Sequence, residues 1–204
     1  MRHICPGTPG DGTRKGRSQK MHLNEETIKS ETVFEGKILY VTRDVAKLEN
    51  GREAIRDVIH HNGGVCVVPL TEQGQVLMVR QFRYPHHCVT LEVPAGKLEQ
   101  GEEPLTCGIR ELWEETGTRA ESMEYLGSLF PTPAYDTEVI HMYLAKGLQV
   151  GGSQKLDPDE FVDVERIDLR EAVNMVLRNE IQDAKTQIAL MKTYLLEQQK
   201  KQGM

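Results

Sequence analysis

Residues 96–118 read GKLEQGEEPLTCGIRELWEETGT. Pro104 suits the first turn of a helix, where its missing N–H leaves nothing unsatisfied, and Gly117 suits the stop. Leu105, Ile109 and Leu112 recur at helical spacing and give this expected helix an apolar stripe. Glu111 and Glu115 are four apart and share a face, with Glu114 three from Glu111. Like charges so spaced cost roughly 0.2–0.5 kcal/mol per pair on an exposed helix. Arg110, four before Glu114, can pair with it, which leaves Glu111 and Glu115 without a local cation. Charge alone reads as a solvated acidic face. Clustered carboxylates also suit a hard divalent ion, since Mg²⁺ takes one or two carboxylates plus water and phosphate oxygens.

Outward from this helix the pattern alternates between strands and helices. Strands are expected at 32–41, 45–49 and 54–61, with Asn50-Gly51 signalling a two-residue hairpin. Gly63-Gly64 marks a boundary, followed by strands at 65–70, 75–82 and 89–93. Beyond the helix, strands are expected at 122–130, 139–145 and 161–167. Asp168-Leu-Arg-Glu171 has the pattern of a capping box, and a last helix over 183–200 carries Ile188, Met191 and Leu195 on one face. Mixed strands and helices indicate an α/β layered domain.

With 38% hydrophobic and 27% charged residues over 204 positions, the chain can build one packed domain with an appendage. Its longest apolar runs, such as 65–70, fall far short of the roughly 18 residues of a membrane helix. Residues 1–20 hold four Gly, two Pro and five basic side chains (Arg2, Arg14, Lys15, Arg17, Lys20) against Asp11. They read as a disordered arm or as a segment upstream of a start at Met21. The rest of the chain is acidic, within a net charge of −6, which argues against a nucleic-acid surface but not against a phosphorylated ligand held through metal. No Cys-x-x-Cys pair occurs, Cys66 and Cys107 lie among apolar neighbours, and no signal-peptide core is present, so a reducing cytoplasm is expected. His60-His61 and His86-His87 are adjacent strand or loop residues that point apart, and Trp113 is expected to pack rather than to stack on substrate. Phe34 and Tyr40 are candidates for adenine stacking or for core.

The stretch at 96–118 fits the pattern G-x5-E-x7-R-E-U-x-E-E-x-G-U, where U is bulky and aliphatic, and it resembles the Nudix box. Gly96, Glu102, Arg110, Glu111, Leu112, Glu114, Glu115 and Gly117 all match, and only Thr118 departs, at the last apolar position. RQFRYP (80–85), LEVPAGKLEQGE (91–102), FPTPAYDTE (130–138) and DEFVDV (159–164) are similar to segments of the ADP-ribose pyrophosphatase branch of that family. The resemblance implies a Nudix α/β/α sandwich with a mixed sheet over 63–204 and an antiparallel β appendage over 21–62. It implies Glu111, Glu115 and the Ala95 carbonyl as metal ligands for Mg²⁺, with Mn²⁺ as a substitute. Glu114 would be a further ligand and Glu160 the acid acting on water, with Asp157 and Asp159 as neighbours in that role. Gly96, Glu102, Arg110 and Gly117 would brace the box, while Arg56 and Arg83 would contact substrate. The implied reaction is hydrolysis of ADP-ribose to AMP and ribose 5-phosphate by a cytoplasmic homodimer, Arg56 acting across subunits. Other implied possibilities are another NDP-sugar, NADH or a diadenosine polyphosphate as substrate, or a sensor that binds without cleaving. The intact Glu111, Glu114 and Glu115 speak against the sensor, as does the lack of an appended DNA-binding helix pair.

Overall fold

The computed structural model describes residues 23–203 apart from 157 and 159. The expectations for residues 1–20, Asp157 and Asp159 therefore lie outside the described residues.

The chain opens with an antiparallel sheet of β1 (Glu26–Glu35), β2 (Tyr40–Lys47) and β3 (Glu53–His60), in that order. The strand expected over 32–41 is interrupted by a turn, in which Gly36 N donates to Leu39 O at 2.9 Å. A Cβ on Gly36 would come within 2.8 Å of the exposed Phe34 ring, which would have to shift, and 3.2 Å of the Leu39 carbonyl, so glycine eases the reversal. The second hairpin also differs from the two-residue expectation. Leu48 N bonds Arg52 O at 2.8 Å and Gly51 N bonds Leu48 O at 2.9 Å, enclosing Glu49-Asn50-Gly51. Gly51, at φ 80°, takes the left-handed position that closes a type I turn into a three-residue loop. Every residue of β1 is exposed.

The remaining chain runs β4 (Gly64–Pro69), β5 (Gln75–Arg83), β6 (Cys88–Glu92), β7 (Ala95–Lys97), α1 (Pro104–Thr116), β8 (Thr118–Leu129), β9 (Ile140–Val150), β10 (Val162–Asp168), α2 (Leu169–Leu177) and α3 (Ala184–Lys201). A four-stranded sheet has the order β7-β4-β9-β8, with β4 parallel to β9 and the other pairs antiparallel. A second sheet has the order β10-β5-β6. All six residues of β4 are buried, as a central strand covered on both faces requires. Alternation along β4 divides the core. Val65 and Val67 meet Cys107 and Leu112 of α1, whereas Cys66 and Val68 join a second cluster with Ala172, Val173, Ala189 and Leu190 of α2 and α3. This is the α/β/α sandwich expected. Burial pushes the Cys66 and Cys107 thiols up to about 12, so both act as small apolar side chains. The β appendage joins the sandwich where Ile59 N bonds Tyr135 O at 2.7 Å and Thr137 N bonds Ile59 O at 3.0 Å.

Two apolar stripes face differently from expectation. On α1, Leu112 is buried, but Leu105 and Ile109 are exposed, and Cys107, Gly108 and Glu115 turn inward. On α3, Ile188, Met191 and Leu195 are exposed, while Thr186, Ala189, Leu190 and Thr193 form the inner face. Close approach of a helix to a sheet favours small side chains: a Cβ on Gly108 would already lie 3.1 Å from Val65. The capping box at α2 forms by half. Asp168 accepts from Arg170 N and Glu171 N, but Glu171 turns its carboxylate to Arg178.

Gly117 ends α1 at φ 61°, its N–H donating to Trp113 O at 2.8 Å. A Cβ there would fall on the Gly152 carbonyl, which is backbone and cannot step aside. Gly117→Ala is therefore expected to destabilise the fold by about 1–3 kcal/mol from the left-handed backbone alone, and further from the clash. A urea midpoint equal to wild type would refute this.

Candidate active site

The last two turns of α1 lie against the bend at Val93-Pro94 and the start of β7 at Ala95-Gly96, and this contact builds the carboxylate cluster. Ala95 N donates to Glu115 Oε2 at 3.0 Å. A Cβ on Gly96 would overlap the Glu111 carboxylate, so glycine leaves the space that this group occupies. Glu115 is 3% exposed, and burial pushes its carboxyl up to about 8. The Ala95 N–H opposes that rise, while the charges of Glu111 and Glu160 add to it. Burial likewise raises Glu111 against the pull of Arg110, with Glu114 and Glu160 contributing. Glu160, distant in sequence, is thus brought into the field of both helix carboxylates.

Arg110 organises the other side. Its Nε and Nη2 each lie 3.0 Å from a Glu102 oxygen, and Nη2 also reaches the Lys97 carbonyl at 3.3 Å. This pairing holds the Glu102 carboxyl down to about 2. Nη1 donates to Glu114 Oε2 at 2.9 Å, as the spacing suggested, but also to Glu111 Oε1 at 2.7 Å. The expectation that Glu111 lacks a local cation is therefore corrected: a long guanidinium reaches the neighbouring carboxylate as well as the one a turn away. Glu115 alone of the three has no side-chain cation bonded to it among the described residues.

The segment before β10 is stitched to the end of α1. Gly152 N bonds Gly117 O at 3.0 Å and Lys155 N bonds Glu114 O at 2.9 Å. Gln154 Nε2 donates both to Glu115 O and to Val162 O, spanning the stretch that carries Glu160. Trp113 packs against Gly152 and beneath Arg119, whose guanidinium lies 4.8 Å from the ring centroid.

Arg83 lies at the end of β5 with its fork closed on Glu92, Nε and Nη2 each 2.7 Å from an oxygen. Glu92 is 1% exposed and also accepts from Thr90 Oγ1 at 2.7 Å and from Lys185 Nζ. Desolvation alone would raise its carboxyl, but Arg83 and Lys185 outweigh that and hold it at about 2. Lys185 also pairs with Asp183 at 3.0 Å. The charges of Arg83 and Lys185 both act on Glu115, which sets this group beside the carboxylate cluster. Arg56 sits on β3, its fork closed on Glu25 at 2.7 and 2.9 Å. No described bond links it to the carboxylates. His60 stacks on Tyr40 and bonds Thr42, whereas His61 faces Glu138 at 3.5 Å, so the two rings have separate surroundings. Phe34 is exposed rather than core.

Sequence reading missed Glu92, Lys185, Asp183 and Gln154. Glu92 carried a signal, an acid between Leu91 and Val93 in an apolar strand. Lys185, 93 residues away on another element, carried none.

Residues 60–190 match the family model described as the NUDIX domain. The chain is 39% identical over 176 residues to an ADP-ribose pyrophosphatase of Bacillus subtilis (strain 168), covering 86% of this chain and 95% of that protein. It is 41% identical, over the same shares, to a protein of Bacillus methanolicus named methanol dehydrogenase activator. A GDP-mannose pyrophosphatase of Yersinia enterocolitica is 30% identical, over 81% of this chain and 93% of its own length. Among solved structures, an ADP compounds hydrolase superposes with a TM-score of 0.77 at 21% identity, covering 91% of this chain and 99% of that one, a likeness of fold.

Proposed function

Because the chain belongs to the NUDIX family and is a pyrophosphohydrolase of that family, we propose that it cleaves the diphosphate of ADP-ribose, with Mg²⁺, to AMP and ribose 5-phosphate. The observation that carries this reading is the placement of Glu111 against Gly96 and of Glu115 on the Ala95 N–H, with the charge of Glu160 acting on both. Relatives named for ADP-ribose and GDP-mannose support a sugar nucleotide as substrate class.

The residues fit a hard divalent ion. A nearly buried carboxyl pushed up to about 8 beside two other acids is a site that gains from a bound cation. Among the described residues no three acidic, histidine or cysteine side chains close into one ligand shell. Glu111, Glu115 and the Ala95 carbonyl would form part of it, and water and diphosphate oxygens the rest, the usual habit of Mg²⁺. Bound there, the ion would lower the pKa of water and screen the phosphate charge; Mn²⁺ is the expected substitute. Glu160 would take the proton of the attacking water as the water oxygen bonds to one phosphorus and the bridging P–O bond to the other phosphate breaks. Arg83 holds diphosphate oxygens, and Glu114 with Arg110 keeps Glu111 in place.

A homodimer is part of the proposal. Ile28, Val33, Phe34, Ile38, Tyr40 and Ile55 leave the β appendage with six large apolar side chains exposed, which a second copy would cover, bringing Arg56 toward its partner's substrate. Residues 21–62 would then be the dimerisation element and 63–204 the catalytic domain. A chain starting at Met21 is expected to keep its activity and its dimeric mass by light scattering; a monomer would remove both assignments. No helix among the described residues is long and apolar enough to cross a membrane, and a cytoplasmic location is proposed on the cysteine usage.

The test is a panel of ADP-ribose, GDP-mannose, NADH and diadenosine polyphosphates with Mg²⁺ or Mn²⁺, products being separated by chromatography. AMP and ribose 5-phosphate in equal amounts are expected from ADP-ribose. Binding without cleavage would establish the sensor, and preference for another member of the panel would move the substrate. The name of the Bacillus methanolicus relative favours a second reading, that this protein activates a methanol dehydrogenase. Dehydrogenase rates measured with and without the protein decide it.

A further inference from the structure

Arg83 commits one edge of its guanidinium to Glu92 through Nε and Nη2, while Nη1 has no hydrogen-bond partner among the described residues. The side chain is 39% exposed, whereas the Glu92 side chain is 1% exposed. A carboxylate so buried must be compensated on every side. Here Thr90 Oγ1 and Lys185 Nζ complete what Arg83 begins. Lys185 is in turn held by Asp183, which caps α3 by accepting from Thr186 N at 2.9 Å. Thr186 Oγ1 accepts from Val93 N at 3.0 Å, so the first turn of α3 grips Glu92, the last residue of β6, and Val93 after it. Two residues further on, Ala95 N meets Glu115. One helix end thus sets both the guanidinium of Arg83 and the backbone against which the catalytic carboxylates rest.

We propose that Glu92, backed by Lys185, is a positioning residue that fixes Arg83 with its Nη1 edge turned to the diphosphate of the substrate. The proposal rests on the functional reading above, in which Arg83 contacts that diphosphate. A bidentate carboxylate locks both the place and the plane of a guanidinium, so the outward edge is presented without being ordered on binding. Contacts of this kind act in the bound ground state and in the transition state alike. Their loss raises KM and leaves kcat nearly untouched. A purely structural ion cluster would instead lower the active fraction and so kcat, at unchanged KM.

The experiment is a double-mutant cycle of Glu92→Gln and Arg83→Lys, assayed with ADP-ribose and Mg²⁺. Glu92→Gln is expected to raise KM about tenfold with kcat within about threefold of wild type. The double variant should be no worse than Arg83→Lys alone, because lysine has no fork for Glu92 to hold. Additive effects, or a fall in kcat at constant KM, would overturn the proposal. If Glu92→Gln does not fold, Thr90→Val takes its place in the cycle, with a KM rise of about threefold that vanishes in the Arg83→Lys background; a rise that persists there counts against the proposal. Calorimetric binding of inorganic pyrophosphate with Mg²⁺ separates this question from the choice of substrate. Even if ADP-ribose is not hydrolysed, Glu92→Gln should weaken pyrophosphate binding about tenfold, and equal affinity would refute the positioning role.

Discussion

Glu115→Gln is expected to lower turnover by about a thousandfold, the several kcal/mol that a lost metal carboxylate removes from transition-state stabilisation. The fold should not suffer. Glutamine keeps an oxygen for the Ala95 N–H and removes the charge that burial penalises. The sign of the pH dependence follows from the carboxyl being raised to about 8 from an ordinary 4.5. Below 4.5 the wild-type group is neutral whether folded or unfolded and costs nothing. As pH rises toward 8 the unfolded chain ionises first, so the metal-free wild type loses stability that the variant keeps. The Tm difference in EDTA, variant minus wild type, should therefore grow from pH 5 to pH 8 and shrink when Mg²⁺ is added. A thousandfold loss without that pH trend would mean that Glu115 is not the group carrying the buried charge. Turnover within a few-fold of wild type at saturating Mg²⁺ would remove it from the ligand set.

Gly96→Ala separates activity from stability in the opposite way to Gly117→Ala. The three atoms nearest a new methyl group at position 96 all belong to the Glu111 carboxylate, the end of a side chain that can turn aside at the cost of its bond to Arg110 while the backbone stays in place. The displaced carboxylate could no longer share an ion with Glu115, and activity is expected to drop about a hundredfold. The Tm in metal-free buffer should stay near wild type, while the Mg²⁺ concentration giving half-maximal rate should rise. A variant that unfolds would show that the packing of β7, not the carboxylate, needs the glycine. One that keeps full activity would show that Glu111 is not a ligand.

Sequence reading reached what local rules govern. Pro104 and Gly117 delimit a helix wherever they stand in this pattern, because a missing N–H and a left-handed stop belong to the backbone itself. The four-residue spacing of Glu111 and Glu115 puts them on one face of any helix. The uninterrupted apolar run of β4 demands cover on both sides, which already implies helices above and below a sheet. Gly96, Glu102 and Arg110 were marked by the resemblance to the Nudix box, and the contacts they make lie within that one short segment.

Tertiary packing decided the rest. The spacing of apolar residues on α1 and α3 named a stripe, but close contact with the sheet turned the small residues inward and left Ile109, Ile188 and Leu195 outside. Whether Asn50-Gly51 closed a two-residue or a three-residue loop depended on the register of β2 against β3. The approach of Glu160 to Glu111 and Glu115, and of Lys185 to Glu92, joins elements far apart in the chain. Such meetings carry no local signal. They arise only when burial of the common core brings distant segments together, and a buried charge then selects its partner from whatever side chain the packing has brought within reach.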